Sequence, residues 1–371
     1  MGPTKAIIDH DNLRHNYRLI KNLVKPAQVL CVLKANAYGH GSVEISKTLA
    51  REGAEFMGVA YPEEGIELRK AGIDLPVLLF GVHFSDTFEK IVAHDIDITL
   101  TDLEQLDPLR TICKRLNKKA RVHIKIDTGM NRVGFRVEKY KTAVERILSE
   151  PMLEVVGIYS HFSSSDEKDL SYTRNQLDQF KSIRSFVTGK YNHKILYHIA
   201  NSGAIMQLKE SYMDLVRPGA MLYGYPPDSN FELKHNIKEV MAFKSKVVLI
   251  KQILKGEPVS YSRRFYTEKD THIAIIPVGY ADGYNRRFTN TGQVIIHGKR
   301  YPVTGAVCMD QIMVDLGMVT KVTEGDEVVL LGKQNGESIT NVELSKKLGI
   351  IPYELTCSVS QRVQRIHINN K

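Results

Sequence analysis

The chain has 371 residues, 43% of them apolar, and a formal charge of +9 from 51 Lys and Arg against 42 Asp and Glu. This length and apolar content provide for two domains with sizeable cores and exclude a disordered or disulfide-stapled miniature chain. The basic excess is spread among the acids, and its longest cluster, KRLNKKAR at 114–121, lacks interleaved aromatics, so nucleic-acid binding is not expected.

Four cysteines, Cys31, Cys113, Cys308 and Cys357, show no CxxC spacing, which fits a reducing cytoplasm. The opening MGPTKAIIDHDNLRHN has no apolar stretch of the secretory kind, and no run approaches a membrane span. A cytoplasmic protein with no membrane association is expected.

Short apolar runs then alternate with amphipathic, Gly-terminated segments, the pattern of parallel βα units. The predicted strands are VLCVL (29–33), EFMGVA (55–60), PVLLF (76–80), IDITL (96–100), ARVHIKI (120–126), LEVVGIYS (153–160), KILYHIA (194–200) and MDLVR (213–217). Between the first two, SVEISKTLAREG predicts a helix with Ser42 as N-cap, Ile45 and Leu49 on one face and Gly53 as stop. Eight such strands by about residue 224 predict an α/β fold, a closed (β/α)8 TIM-type barrel, with an open doubly wound sheet as the alternative. From about residue 240, KSKVVLIKQIL, THIAIIPVGY, GQVIIHGKRYPV and DEVVLLGK are β-rich and separated by turn signals, and NVELSKKLG (341–349) alone keeps a helical period. We therefore expect a barrel domain over 1–235 and a mostly β C-terminal domain over 236–371.

In such a barrel chemistry belongs at the C-terminal ends of the strands. There the chain places Lys34, then Lys125 and Asp127, His161, Asn201 with Ser202, and Arg217 before Pro218-Gly219. In 120–127 the alternation sends Val122, Ile124 and Ile126 one way, toward helices, and His123, Lys125 and Asp127 the other, into the barrel. A lone strand-end lysine usually snorkels to water, and a lone Ser-Gly or Pro-Gly is usually a turn. Polar groups converging from several strand ends mark a site. Lys34 could bind a phosphate or form a Schiff base, while Ser202-Gly203 and Gly219-Ala220 could cradle a phosphate with backbone N–H groups. Together they suit a phosphorylated aldehyde.

VLKANAYGHG, HIKIDTGMNRVGF, GIYSHFSSSDE, HIANSGAIM, MDLVRPGAMLYG, VSYSRRF, IPVGYADGYNRRF, GAVCMDQIMVDL and IPYELTCSVSQRV resemble, in this order, the pyridoxal-phosphate alanine racemases. The blocks run from residue 29 to the C-terminal region. The resemblance implies a barrel plus β domain, a head-to-tail homodimer with shared active sites, pyridoxal 5′-phosphate as cofactor, no metal, and an amino acid as the small-molecule substrate. It implies interconversion of L- and D-alanine by two bases, with D-alanine going to peptidoglycan of the cell wall.

By motif position, Lys34 would hold the cofactor as an imine and serve as one base. Tyr261 in VSYSRRF, reaching in from the second subunit, would be the other; a phenol, with an ordinary pKa of about 10, needs positive charge nearby for that role. Arg217 would face the pyridine nitrogen and, being a donor only, leave it unprotonated. His161 would contact Arg217 or the ring. Tyr38, Ser202, Tyr353 and the backbone at Gly219 and Ala220 would hold the phosphate. Arg132 and the Met309 N–H would orient the substrate carboxylate, Tyr280 would narrow the entrance, and Asp310 would assist there or near Tyr261. Lys125 matches a lysine that many relatives carbamylate beside this arginine. The chain departs at MNR, where MGR is commoner, so Asn131 precedes Arg132.

Alternatives are a racemase of serine or another small amino acid, a related decarboxylase of a basic amino acid, for which Cys308 in GAVCMD would matter, and a non-catalytic cofactor carrier. Arg217, where those decarboxylases use an acid, and the VSYS block argue against the second; a whole C-terminal domain without a role argues against the third.

Overall fold

The structure, a computed structural model, describes residues 2–370. Eight parallel strands form a barrel: Gln28–Val32, Phe56–Val59, Val77–Leu79, Ile96–Leu100, Ala120–Asp127, Leu153–Tyr159, Leu196–His198 and Leu215–Val216. The last pairs with the first. The remaining seam is closed by backbone bonds from Asp214 N to Tyr197 O (3.1 Å) and Arg217 N to Ala200 O (2.9 Å). This closure, which strand periodicity alone left open, excludes the doubly wound sheet.

Helices cover the outside. Val122, Ile124 and Ile126 are fully buried in the layer shared with them, as the alternation predicts. Inside, Leu30, Val32, Phe56, Leu78 and Leu215 make a separate apolar plug. Helix Ser42–Arg51 buries Ile45 and Leu49. Ser42 is not its N-cap: Gly41 holds that place, the Ser42 N–H goes to Asn36 Oδ1 (2.8 Å), and the Ser42 hydroxyl donates to Glu67 (3.0 Å). The loop already supplies an acceptor, so the hydroxyl is free to bond the neighbouring helix.

The C-terminal region is mostly β. One sheet runs in the order Lys299–Pro302, Gln293–Ile296, Glu327–Gln334, Met241–Lys246, Lys5–Asp9 and Gln364–Ile368, with Glu337–Ile339 paired to the third. A second, antiparallel sheet joins Leu249–Ile253, Thr271–Ile276 and Ile312–Gly317. The chain's first strand, Lys5–Asp9, thus lies in the C-terminal sheet, antiparallel to Met241–Lys246 and parallel to Gln364–Ile368, although it falls within the 1–235 span assigned to the barrel. Its alternating burial gives it one face on each side of a sheet whose remaining strands come from the end of the chain. Besides Asn341–Leu348, the region holds a second helix, Pro352–Cys357, too short to show a helical period in sequence. Among the described residues no helix is long and apolar enough to cross a membrane.

Candidate active site

Lys34 follows the first barrel strand and opens an unusual turn. Ala35, Asn36, Ala37 and Tyr38 all have φ of 53–54°, one turn of left-handed helix built without glycine. Such residues cost about 1–2 kcal/mol each, so the surroundings must hold the turn in place. Glu64 accepts from the Ala35 N–H (2.7 Å), Ala37 N donates to Leu33 O (2.7 Å), and Gly39 N donates to Ala35 O (2.9 Å). The buried His40 donates from Nδ1 toward the carbonyls of Ala37 (2.9 Å) and Tyr38 (3.0 Å) and stacks on Tyr223 at 4.6 Å. Gly39, at φ 86°, sits so close to the Thr356 carbonyl that a Cβ would overlap it. The KANAYGH residues therefore have a local reason beyond the lysine: they fold a strained turn that presents Lys34 and Tyr38 at the barrel mouth. Strain of this kind concentrates at functional sites.

Tyr38 packs its ring against Tyr223, 4.9 Å away. A Cβ on Gly219 would overlap the Tyr38 hydroxyl, and Tyr353, from helix Pro352–Cys357, meets Tyr38 edge-on at 5.7 Å. Ser202 Oγ accepts from Gly219 N (3.0 Å) and Met221 N (3.2 Å), tying the start of helix Ser202–Gln207 to the loop through Ala220. Small residues, backbone N–H groups and three hydroxyls, from Tyr38, Ser202 and Tyr353, thus converge here. This donor-rich cradle fits a phosphate.

Arg217 is 3% exposed and has no carboxylate within 4.0 Å among the described residues. It donates to His198 Nδ1 (2.7 Å), the carbonyls of Ser160 (2.6 Å) and Ile199 (3.1 Å), and His161 Nδ1 (3.2 Å). Burial lowers its pKa to about 10, which still leaves it a cation at neutral pH. A buried guanidinium without an acid, pinned by neutral acceptors, suits a ring nitrogen kept unprotonated. Burial, then the Arg217 charge, pushes the His161 pKa well below its ordinary value, so that ring is neutral and accepts.

Lys125 is 7% exposed, 4.7 Å above the Tyr159 ring. Burial first, then the charges of Arg217 and Arg132, push its pKa well below the usual lysine value, with Asp127 opposing. Arg132 itself is exposed at the mouth. Asp127 Oδ1 accepts from Gly129 N (3.0 Å) and Asn131 N (3.1 Å) and so folds the intervening loop. Asn131 has φ 55°, the left-handed region that glycine enters freely and asparagine tolerates better than most residues. The departure from glycine is therefore one the backbone accommodates.

Lys34 shares the mouth with these groups. Desolvation, followed by the Arg132 charge, lowers its pKa. Tyr261, Tyr280, Met309 and Asp310 belong to a different cluster, on the C-terminal β region. Tyr280 N donates to Cys308 O (3.1 Å), Ala281 N to Met309 O (3.1 Å), and Ser260 Oγ to Ala306 O (2.7 Å), so the segments carrying these four side chains lie against one another. Tyr261 is 71% exposed and Met309 52%, and Asp310 pairs with Arg362 at 2.8 Å. Among the described residues no hydrogen bond or ion pair joins this cluster to Lys34. Within one chain the predicted residues fall into two clusters, one at the barrel mouth and one on the C-terminal β region.

The motifs did not single out His198, Tyr159 or Asp97. Tyr159 stacks flat on His198 at 4.8 Å and lies 5.2 Å from the Arg217 guanidinium carbon. Inward alternation in LEVVGIYS and KILYHIA is the signal that could have found the first two.

The model described as "Alanine racemase, N-terminal domain" matches residues 8–227, and "Alanine racemase, C-terminal domain" matches residues 240–367. A curated alanine racemase of Carboxydothermus hydrogenoformans is 43% identical over 370 residues, covering 99% of this chain and 100% of that one. Among solved structures, the alanine racemase of Clostridium difficile 630 superposes with a TM-score of 0.94 at 36% identity, over 100% of this chain and 97% of that one. That of Bartonella henselae, with covalently bound pyridoxal phosphate, gives 0.89 at 29% identity, over 99% of this chain and 100% of that one. With both halves matched, and nearly the whole of each relative covered, the chain belongs to the alanine racemase family.

Proposed function

We propose that this chain interconverts L- and D-alanine with pyridoxal 5′-phosphate, as a cytoplasmic homodimer whose barrel unit holds the cofactor and whose β unit completes the partner's site, and that it supplies D-alanine for peptidoglycan. The observation that carries the reading is the buried, acid-free Arg217 at the same barrel mouth as Lys34. An acid facing the ring would favour fuller charge delocalisation, as in the decarboxylases; this site offers a guanidinium instead.

When bound, the cofactor spreads the charge left at the substrate Cα over its ring. Tyr38, Ser202, Tyr353 and the Gly219-Ala220 backbone hold its phosphate, Lys34 its aldehyde carbon, and Arg217, steadied by His161, its ring nitrogen. Racemisation needs a proton removed on one face of Cα and delivered on the other, hence two bases. Lys34 Nζ serves one face; its lowered pKa leaves more free amine to take a proton near neutrality. The partner subunit's Tyr261 serves the opposite face, which accounts for its exposure on a lone chain. Arg132 and the partner's Met309 N–H hold the substrate carboxylate, while the partner's Tyr280, with the partner's Asp310 beside it, narrows the entrance to an alanine-sized substrate. A hydroxyl more or less is weakly discriminated by such a pocket, so serine is a poor second substrate rather than an excluded one.

Lys125 is proposed to carry a carbamate. Its neutral amine adds CO2, an N–C bond forms, one proton leaves, and the resulting anion turns the exposed Arg132 guanidinium into position. Among the described residues no ion pair holds this buried amine, and the charges of Arg217 and Arg132 act on it with only Asp127 opposing, which supports the assignment. A mass gain of one CO2 under bicarbonate, lost in Lys125→Ala, is the expected result.

Chiral chromatography of L-alanine incubated with the holoenzyme tests the whole reading: decay to a nearly even mixture is expected, and unchanged L-alanine with cofactor bound would overturn it. Mixing Lys34→Ala with Tyr261→Phe chains tests the shared site. Each is inactive alone, and if each site draws on both subunits every mixed dimer regains one of its two sites, about a quarter of all sites after random 1:1 pairing; no recovery would place both bases in one chain.

A further inference from the structure

Beneath Arg217 a line of polar groups crosses the barrel interior without taking part in the reaction just described. Arg217 Nη1 donates to His198 Nδ1 (2.7 Å), His198 Nε2 lies 3.0 Å from His123 Nδ1, and His123 Nε2 faces Asp97 Oδ2 at 3.4 Å. Asp97 accepts from Arg121 Nε (2.8 Å) and Nη2 (3.2 Å). Asp97, His123 and His198 are wholly buried. Asp97 and Arg121 are the second residues of their strands, at the N-terminal end of the barrel, whereas Arg217 follows the last strand at the catalytic end.

The donors settle where the protons are. A guanidinium only donates, so His198 Nδ1 is bare. Burial, then the Arg217 charge, pushes the His198 pKa well down, so the ring is neutral and its single proton sits on Nε2. That proton points at His123 Nδ1, which must be bare in turn. The His123 proton then lies on Nε2, an atom with no hydrogen-bond partner in good alignment among the described residues and with the Asp97 carboxylate before it. Burial raises the Asp97 pKa, but His123 and Arg121 more than offset this and keep it ionised. Between Arg217 and Asp97 every N–H therefore points toward the acid.

The backbone is shaped around this line. The pairing of Ala120–Asp127 with Leu153–Tyr159 slips between Val122 and His123, and a Cβ on Gly157 would overlap His123 Nδ1. Tyr159, lying parallel to His198 and bonded through its hydroxyl to Thr99 (2.8 Å), holds that ring's plane.

We propose that Asp97 and His123 are positioning residues for Arg217: they fix both histidine tautomers, so that His198 presents the guanidinium with an acceptor and nothing else. The consequence rests on the role given to Arg217 above, a charged donor held toward the cofactor's ring nitrogen. In Asp97→Asn the amide can donate to His123 Nε2 and reverse both rings. His198 Nδ1–H then meets the guanidinium donor to donor, and Arg217 has to turn away.

The test is 15N–1H correlation spectroscopy of histidine-labelled holoenzyme, with kinetics on the same samples. Wild type is expected to show His123 and His198 protonated at Nε2 and bare at Nδ1. Asp97→Asn is expected to move His198 toward the other tautomer, shift the visible absorption band of the bound cofactor, and lower kcat about 10- to 100-fold with KM within about threefold. Asp97→Asn holoenzyme that melts earlier but keeps its tautomers and its kcat would make the aspartate merely structural and overturn the proposal. A wild-type His198 protonated at Nδ1 would overturn it with no variant at all, which covers a failure of Asp97→Asn to fold. Wild type that leaves L-alanine unchanged overturns the proposed function instead, while the tautomers are still read directly.

Discussion

Replacing Ser202 with alanine removes one oxygen that two backbone donors depend on. Gly219 N and Met221 N both bond to it, at 3.0 and 3.2 Å, and the residue is 6% exposed. An orphaned buried N–H costs about 1–3 kcal/mol; because the two share one small space, their losses overlap, and roughly 2–4 kcal/mol in total is expected. The assay is urea unfolding of the cofactor-free protein, followed through the transition that reports the barrel, where the midpoint should fall with the slope unchanged. The same oxygen is assigned to the cofactor phosphate. A hydrogen bond to a charged group contributes about 1.5–3 kcal/mol, so pyridoxal phosphate should bind about 10- to 100-fold more weakly. Pyridoxal, which has no phosphate, should bind within about threefold of wild type. An unmoved midpoint, or equal losses for the two ligands, would refute this account of the cradle.

Gly157→Ala places a methyl against His123 and the Leu196 carbonyl; overpacking of this kind costs about 1–3 kcal/mol, to be seen as a lower melting temperature and a changed His123 15N spectrum. Asn131→Gly should leave stability and kcat/KM within about twofold, since either residue takes φ 55°, whereas Asn131→Val should destabilise the carboxylate loop and raise KM for alanine. Burial, then the charge of His367, pushes the pKa of His10 from its ordinary 6.5 to about 4. Between those values the unfolded ring binds a proton that the folded ring does not. Stability therefore falls as pH drops from about 6.5 toward 4, by up to roughly 3 kcal/mol; a His10→Gln variant with the same acid slope in urea titrations would contradict this. Tyr261→Phe should cut racemisation by about 10²- to 10⁴-fold yet keep solvent exchange of the α-proton for one alanine enantiomer, read by deuterium incorporation; retained exchange of both would rule out a two-base division of labour.

Much of the barrel was legible from local pattern. Ile96–Leu100 was predicted to the residue, and the other seven strands coincide with the predicted segments to within a few residues at their ends. The side of Ala120–Asp127 that carries His123 and Lys125 into the interior was legible too, because alternation is a property of the strand itself. What escaped had no local signature. Lys5–Asp9 has the alternation of any half-buried strand, and only its neighbours, from residues 241–246 and 364–368, assign it to the second sheet. The left-handed turn at 35–38 is built mainly from Ala and Tyr, which ordinarily avoid that region, with only Asn36 at home there; it exists because Glu64, His40 and the Thr356 carbonyl surround it.

By itself, then, the amino-acid sequence determined the alternating units, the β-rich second half, the lysine, arginine and tyrosine motifs, and the family to which they belong. These follow from periodicity, turn chemistry and ordered blocks, each contained in a few neighbouring residues. The tertiary structure alone decided that the sheet closes, that the motif residues fall into two clusters, and that Asp97, His123, His198 and Arg217 line up. Three come from different strands and Arg217 follows a fourth, and the proton positions along them depend on which atom faces which across the barrel. Distances between segments far apart in the chain are set by packing, and no local pattern contains them.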